Sequence, residues 1–227
     1  MFQHIKVVGR GRVGAAVHGR LLERGLAAQD LFHPPDLHNP PDLVLLCVPD
    51  PEIARVASQT SLGPWIAHVS GATPLSALAP HTRRFTIHPL QTFTTRRGPE
   101  QLDGAWAAVS AESAEARDRG FWLAETLGLR PFELADESRV LYHAGAAVAS
   151  NYLVTLHRAA AHLLARAGAP PEALLPLMQR TIDNGFELTG PIARGDWSTV
   201  ERHVAAIAAG APELEALYVA LARATKP

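Results

Sequence analysis

Three groups of residues in this chain combine types and spacings that can do chemistry. The first is Gly9-Arg10-Gly11-Arg12-Val13-Gly14, which follows the apolar run His4 to Val8 and opens a stretch with Val13, Val17 and Leu21 at helical spacing. In a strand, glycine turn and helix of this kind, Gly9 permits the turn. Gly11 lets a pyrophosphate approach the backbone, and Gly14 lets helix and strand pack closely. The anion would rest on exposed N–H groups at the helix N-terminus. The alternative is a glycine turn in some other α/β protein. The second group is polar and follows two apolar strands: Ser70 in Ser70-Gly71-Ala72-Thr73, and His88, Gln91 and Thr92 in His88-Pro89-Leu90-Gln91-Thr92-Phe93. Polar residues just past parallel strands are where α/β sheets hold substrates, although His88 could equally cap its own loop. The third group is His143, Ser150 and Asn151, which with Ala147 form one stripe at i, i+4, i+7 and i+8 of a continuous helix. These side chains either face a cleft and serve proton transfer or bond to neighbouring backbone.

The elements that must position these groups read as α/β followed by all-α: a Rossmann-like, mostly parallel sheet over 1–135, then a helical substrate or dimerisation domain over 136–227. The first helix should stop at Gly25, and a second strand is expected over Asp30 to His33. That strand ends without the carboxylate that holds a ribose 2′-hydroxyl in NAD sites, which favours NADP and leaves NAD open. Arg10, Arg12 and His33 are then candidate 2′-phosphate partners, or three solvated side chains. From Pro34 to Asp42 there are four prolines in nine residues, and a crossover helix does not fit. The fully apolar Leu43 to Val48 reads as a buried parallel strand whose end, Val48 and Pro49, faces the ligand, with Asp50 capping a helix from Pro51. Strands are expected at Trp65 to Val69, Arg84 to His88, Ala105 to Val109 and Arg130 to Leu134, with a covering helix from Glu112 to Leu127. Val140 to Leu164 is rich in alanine and apolar nearly all round, the pattern of a buried helix. In the polar loop Leu188 to Asp196, Asp196 suits an N-cap and Arg194 a substrate carboxylate.

Composition narrows the function classes. With 227 residues and a formal charge of −1, the chain can bury a core and shows no polyanion-binding surface, so nucleic acid is not an expected partner. No apolar run approaches the roughly 20 residues needed to span a bilayer, and the N-terminus lacks a secretory pattern, so no membrane partner and a cytoplasmic location are expected. The single cysteine, Cys47, lies inside an apolar strand and reads as a small hydrophobe. The eleven histidines show no metal-ligand spacing, so no metal is expected.

Six stretches occur in an order that resembles a known family: Gly9 to Gly14, Val48-Pro49-Asp50, His68 to Ala72, His88 to Phe93, Tyr142 to Tyr152, and Leu188 to Asp196. They are similar to bacterial Rossmann-like oxidoreductases whose C-terminal helical domain has no assigned function. The wider superfamily includes 6-phosphogluconate and prephenate dehydrogenases, pyrroline-5-carboxylate reductase and ketopantoate reductase. The resemblance implies an NAD(P) enzyme acting on a small molecule, and a homodimer formed through the helical domain. Relatives place a lysine where this chain has Ala147, and they keep the crossover helix that Pro34 to Asp42 replaces. The arrangement is closer to prephenate dehydrogenases, where a helix histidine polarises the substrate hydroxyl beside a His-Pro loop. By that resemblance His143, Ser150, Asn151 and His88 are the site candidates. In the expected mechanism His143 is the general acid, Ser150 and Asn151 orient the carbonyl oxygen, and Arg194 with Gln91 or Thr92 holds a carboxylate. The expected reaction is NADP-dependent hydride transfer to or from a small carboxylate-bearing ketone, alcohol or imine, of the ketopantoate type. The alternative is a homodimer that senses a nucleotide or ligand without chemistry.

Overall fold

In a computed structural model the described residues are 1–29 and 41–225. The chain divides into two compact units, Met1–Ala147 and Val148–Pro227.

The first unit is built on a seven-stranded sheet. Its strands are β1 (His4–Val8), β2 (Ala27–Gln29), β3 (Leu43–Leu46), β4 (Trp65–His68), β5 (Arg84–Leu90), β6 (Trp106–Ala111) and β7 (Arg130–Glu133), in the order β2-β1-β3-β4-β5-β6-β7. All neighbours pair in parallel except β5 and β6, which are antiparallel. The carboxyl ends of β1, β3, β4 and β5 therefore share one edge. The strand expected over Asp30 to His33, with His33 itself, and the proline stretch 34–40 lie outside the described residues.

Both faces of the sheet are covered, which explains the unbroken apolar run of β3. Leu43 and Leu45 join Phe2, Val17, Leu21, Phe85 and Leu123 in one cluster, and Val44 and Leu46 join Ile53, Ile66, Leu75 and Leu78 in the other. Helices α1 (Arg12–Glu23) and α3 (Ala114–Thr126) supply the first cluster, and α2 (Ile53–Gln59) the second. Ser113 caps α3 by accepting from the Ala116 N–H at 3.2 Å. The helix expected from Pro51 instead starts as a 3₁₀ turn, Asp50–Glu52, and Asp50 is not its cap. Its carboxylate accepts the Ser70 hydroxyl at 2.7 Å, a stronger partner than a half-formed helix end.

The alanine-rich run departs most from expectation. It forms α4 (Arg139–Ala147), a π-helical turn over Val148–Tyr152, and α5 (Leu153–Arg166). The π turn breaks the uninterrupted α-helical register on which the stripe of His143, Ala147, Ser150 and Asn151 rests. Nor is the run buried: Leu141 is 80% exposed, and α5 has no buried residue. An apolar helix buries itself only where another surface covers it, and in α4 the one buried residue is the charged Arg139.

In the second unit α6 (Leu174–Asp183), α7 (Trp197–Gly210) and α8 (Glu215–Ala224) follow α5. Asp196 caps α7 by accepting from the Thr199 N–H at 3.1 Å, as its position at the end of the polar loop implies. Among the described residues no helix is long and apolar enough to cross a membrane.

The turn between β1 and α1 needs its glycines for different reasons. Gly9 has φ 120°, and a Cβ there would lie 2.2 Å from the Cys47 carbonyl oxygen. A Cβ on Gly14 would lie 1.9 Å from the Gly9 carbonyl oxygen, whereas one on Gly11 would meet nothing within 4 Å. Gly14→Ala should therefore cost about 3 kcal/mol or more in urea unfolding, because backbone cannot yield as a side chain does. Gly11→Ala should change stability by no more than about 1 kcal/mol. Equal losses would show that helix and strand do not pack through Gly14.

Candidate functional site

Two features share the carboxyl edge of the sheet in the first unit. One is the glycine turn. The α1 N-terminus carries Gly11 as its cap residue, with no side-chain cap and no acidic residue in the first turn, so its N–H groups keep their positive field. Arg10, Gly11, Arg12, Ala15, Ala16, Thr94, Thr95, Arg97 and Gly98 line a cleft of about 260 Å³ beside it. Arg12 holds the far wall by donating to the Phe93 carbonyl at 3.2 Å. Val13 packs against the core below, and Val48, past the end of β3, packs against the opposite cluster. The Pro49 carbonyl accepts the Glu52 N–H at 2.8 Å.

The other feature is a cluster of rings and hydroxyls at the ends of β4 and β5. His68 closes β4, and His88 lies near the end of β5. Tyr142 and His143 come from α4, three and four residues after Arg139. His88 Nδ1 lies 2.8 Å from the Tyr142 hydroxyl, and the His88 and His143 rings meet edge to face at 5.9 Å between centroids. Gly71 permits that meeting. A Cβ there would lie 2.5 Å from His143 Cδ2 and 2.9 Å from His88 Nε2.

Arg139 is 1% exposed and ties these elements together. Its Nε donates to the Thr73 carbonyl at 2.9 Å. Nη1 donates to Thr86 Oγ1 at 2.6 Å and Ser110 Oγ at 2.9 Å, and Nη2 donates to the Ser70 carbonyl. Burial lowers its pKa from the ordinary arginine value, opposed by Asp136, Tyr142 and Asp50. The cation weighs on its neighbours. Burial, then Arg139, brings His68 down to about 4, with the Pro74 carbonyl and Asp50 pulling the other way. His88 also falls to about 4 through burial, then His143 and Arg139, against Asp50. Burial pushes Tyr142 up to about 12 and the Cys47 thiol to about 12, which leaves the cysteine the inert hydrophobe its setting implied.

The remaining candidates are placed as follows. Ser70 is buried: its hydroxyl donates to Asp50 Oδ2 and accepts from the Thr73 N–H at 3.0 Å, so it shapes the turn at Gly71. Gln91 donates to the Gln101 carbonyl at 3.2 Å and accepts the Thr92 N–H at 2.8 Å, and both residues are exposed. His143 is exposed. Ser150, Asn151 and Arg194 belong to the second unit. There Ser150 Oγ lies 3.5 Å from Asn151 Oδ1, and Asn151 and Arg194 are exposed. Among the described residues no group of three or more His, Cys, Asp or Glu could hold a metal ion. Sequence reasoning gave no role to Asp50, His68, Arg139 or Tyr142 in this cluster. A signal was present: Thr86 and Ser110 are polar residues flanked by apolar ones in their strands, they pair across β5 and β6, and both face the guanidinium.

The sheet order, the glycine turn and the helical continuation define a Rossmann-like α/β fold with a C-terminal helical part. Residues 105–225 match the family described as a domain of unknown function, DUF2520, and the chain belongs to that family. No curated protein matches it. Among solved structures it is similar to Bacteroides fragilis BF3122, described provisionally as an NADP oxidoreductase, with 22% identity, TM-score 0.78 and coverage of 98% of this chain and 97% of that one. Thermotoga maritima TM1727 is 24% identical at TM-score 0.73, covering 96% and 95%. A reductive aminase from Aspergillus terreus, in complex with NADPH and ethyl levulinate, is 15% identical at TM-score 0.67, covering 100% and 95%.

The depressed histidines predict how stability responds to acid. The unfolded chain protonates these rings near 6.5 and the folded chain only near 4, so between those values the unfolded state binds more protons and stability falls as pH falls. Each ring contributes a slope of up to about 1.4 kcal/mol per pH unit inside that window. Urea unfolding of the wild type from pH 7 to 4.5 should show both contributions, and His88→Gln should remove one. An unchanged slope in His88→Gln would show that His88 titrates normally in the folded chain.

Proposed function

We propose that the first unit binds a nicotinamide dinucleotide, NADP in preference to NAD, and that the protein is an oxidoreductase. Its substrate is a small carboxylate-bearing ketone, alcohol or imine, with 2-oxo acid reduction of the ketopantoate type as the specific case. The observation that carries this proposal is the open backbone at Gly11. It sits on an uncapped helix N-terminus beside a cleft lined by Arg10, Arg12 and Arg97, on the strand edge that also carries Gly71 and His88, with His143 of α4 against Gly71. The residues present fit the diphosphate: a Cβ is forbidden at Gly9 and Gly14 by the fold but is absent at Gly11 with space to spare. Likeness to an NADPH-bound reductive aminase and to BF3122 supports the same assignment.

When bound, the nicotinamide supplies or accepts the hydride. The chain's own residues do the rest. Gly11 and the first N–H groups of α1 hold the diphosphate, and the guanidinium groups of Arg10 and Arg12 favour the extra 2′-phosphate. His143, exposed beside Gly71, gives or takes the proton at the substrate oxygen. Ser150 and Asn151 as groups that orient an oxygen, and Arg194 as a carboxylate holder, belong to the second unit and rest on the sequence reading alone. Ser70 acts by fixing the Gly71 turn. The helical unit forms a homodimer: Leu175 is 62% and Phe186 72% exposed, and an amphipathic α5 without a buried residue needs a second apolar surface. Binding without turnover, as in a nucleotide sensor, is the rival, and the internal bonds of Ser70 and Gln91 favour it.

The test is one purified sample taken through three measurements. NADPH should bind more tightly than NADH, 2-oxo acids should oxidise it, and sedimentation should give twice the chain mass. Gly11→Val should abolish nucleotide binding while leaving the fold intact. His143→Ala should lower turnover by about 10²- to 10⁴-fold with nucleotide affinity unchanged. Binding without turnover on any substrate would favour a nucleotide sensor, and no binding of either nucleotide at millimolar concentration would sink the oxidoreductase and leave the sensor of another ligand.

A further inference from the structure

His88 can present either a donor or an acceptor at Nε2, and the choice depends on which way the hydrogen bond to Tyr142 runs. The 2.8 Å contact between Nδ1 and the phenol is compatible with both directions. The surroundings of Tyr142 select one. Burial raises its pKa to about 12, so its hydroxyl is protonated near neutral pH. Arg139, three residues earlier on α4, acts on the same phenol, and a guanidinium has five N–H donors and no lone pair. Arg139 therefore offers that proton no acceptor. Among the described residues His88 Nδ1 is the acceptor within reach of that proton.

We infer that Tyr142 is a positioning residue that locks His88 in its Nε2–H tautomer, so that the ring offers a hydrogen-bond donor beside Gly71. Nε2 lies 2.9 Å from where a Gly71 Cβ would be, in space that a glycine leaves to its hydrogens. A donor at Nε2 pairs with an acceptor, such as a carbonyl, alkoxide or carboxylate oxygen. Burial, then His143 and Arg139, keep the ring neutral well below pH 7, while Asp50 pulls the other way. The donor is then a neutral imidazole whose proton stays put, and His143 remains the residue that transfers one. The assignment of the acceptor as a substrate oxygen rests on the oxidoreductase proposed above, whereas the tautomer does not.

Histidine ring nitrogens of the full-length protein, labelled with ¹⁵N, report the tautomer directly through two-bond proton–nitrogen correlations. The His88 signals are identified by their loss in His88→Gln. In the wild type between pH 6 and 8, Nε2 should have a pyrrole-type shift and Nδ1 a pyridine-type shift. In Tyr142→Phe the two should move towards an averaged pair, while signals of histidines away from the cluster stay where they are. A wild type with Nδ1 protonated or with averaged nitrogens overturns the inference. So does an unchanged pattern in Tyr142→Phe, and if that variant does not fold the wild-type spectrum alone decides. Titrating NADPH into the same samples tests the cofactor site separately, since either result can fail without the other.

Discussion

A buried cation holds the site together. Arg139 lies at the start of α4 with its charge removed from water, and a guanidinium in that position persists only if its N–H groups are met. They are met by the Ser70 and Thr73 carbonyls and the Thr86 and Ser110 hydroxyls, from the turn after β4 and from β5 and β6. One side chain thus joins three parts of the sheet to the helix that carries Tyr142 and His143. The fork geometry matters as well as the charge, because a lysine could not reach acceptors in so many directions from one rigid plane.

From that clamp the electrostatics of the cluster follow. Burial first, then His143 on His88 and the fixed charge of Arg139 on both rings, disfavours protonation, so His68 and His88 are held neutral. Asp50 offsets part of the field while bonding Ser70, and Ser70 in turn shapes the turn at Gly71, where the absence of a side chain admits both imidazoles. The glycine turn at the start of α1 is independent of this network. It is set by close approach of backbone to backbone at Gly9 and Gly14, which leaves Gly11 as the open position.

Much of the fold was legible because its signals are local. The glycine spacing, the doubly buried β3 and the stop at Gly25 each follow from one element's own chemistry. The site was legible only in part. His88 and His143 stand out as polar residues at a strand end and on a helix, and the structure brings their rings together. Arg139 and Tyr142 did not stand out, because their roles depend on contacts with residues more than fifty positions away. The alanine-rich run misled for a related reason. Its composition shows that it must be covered, but not that the covering surface lies within the same chain, and no periodicity announces the π turn at Val148–Tyr152.

The unfolding free energy of Arg139→Met tests the clamp most directly. Methionine fills much of the same space but leaves the Ser70 and Thr73 carbonyls and two buried hydroxyls without their donor, so a loss of about 3 kcal/mol or more is expected at neutral pH. If the variant is as stable as the wild type or more so, the buried charge is a burden carried by the fold, and the dependence of the site on Arg139 is wrong.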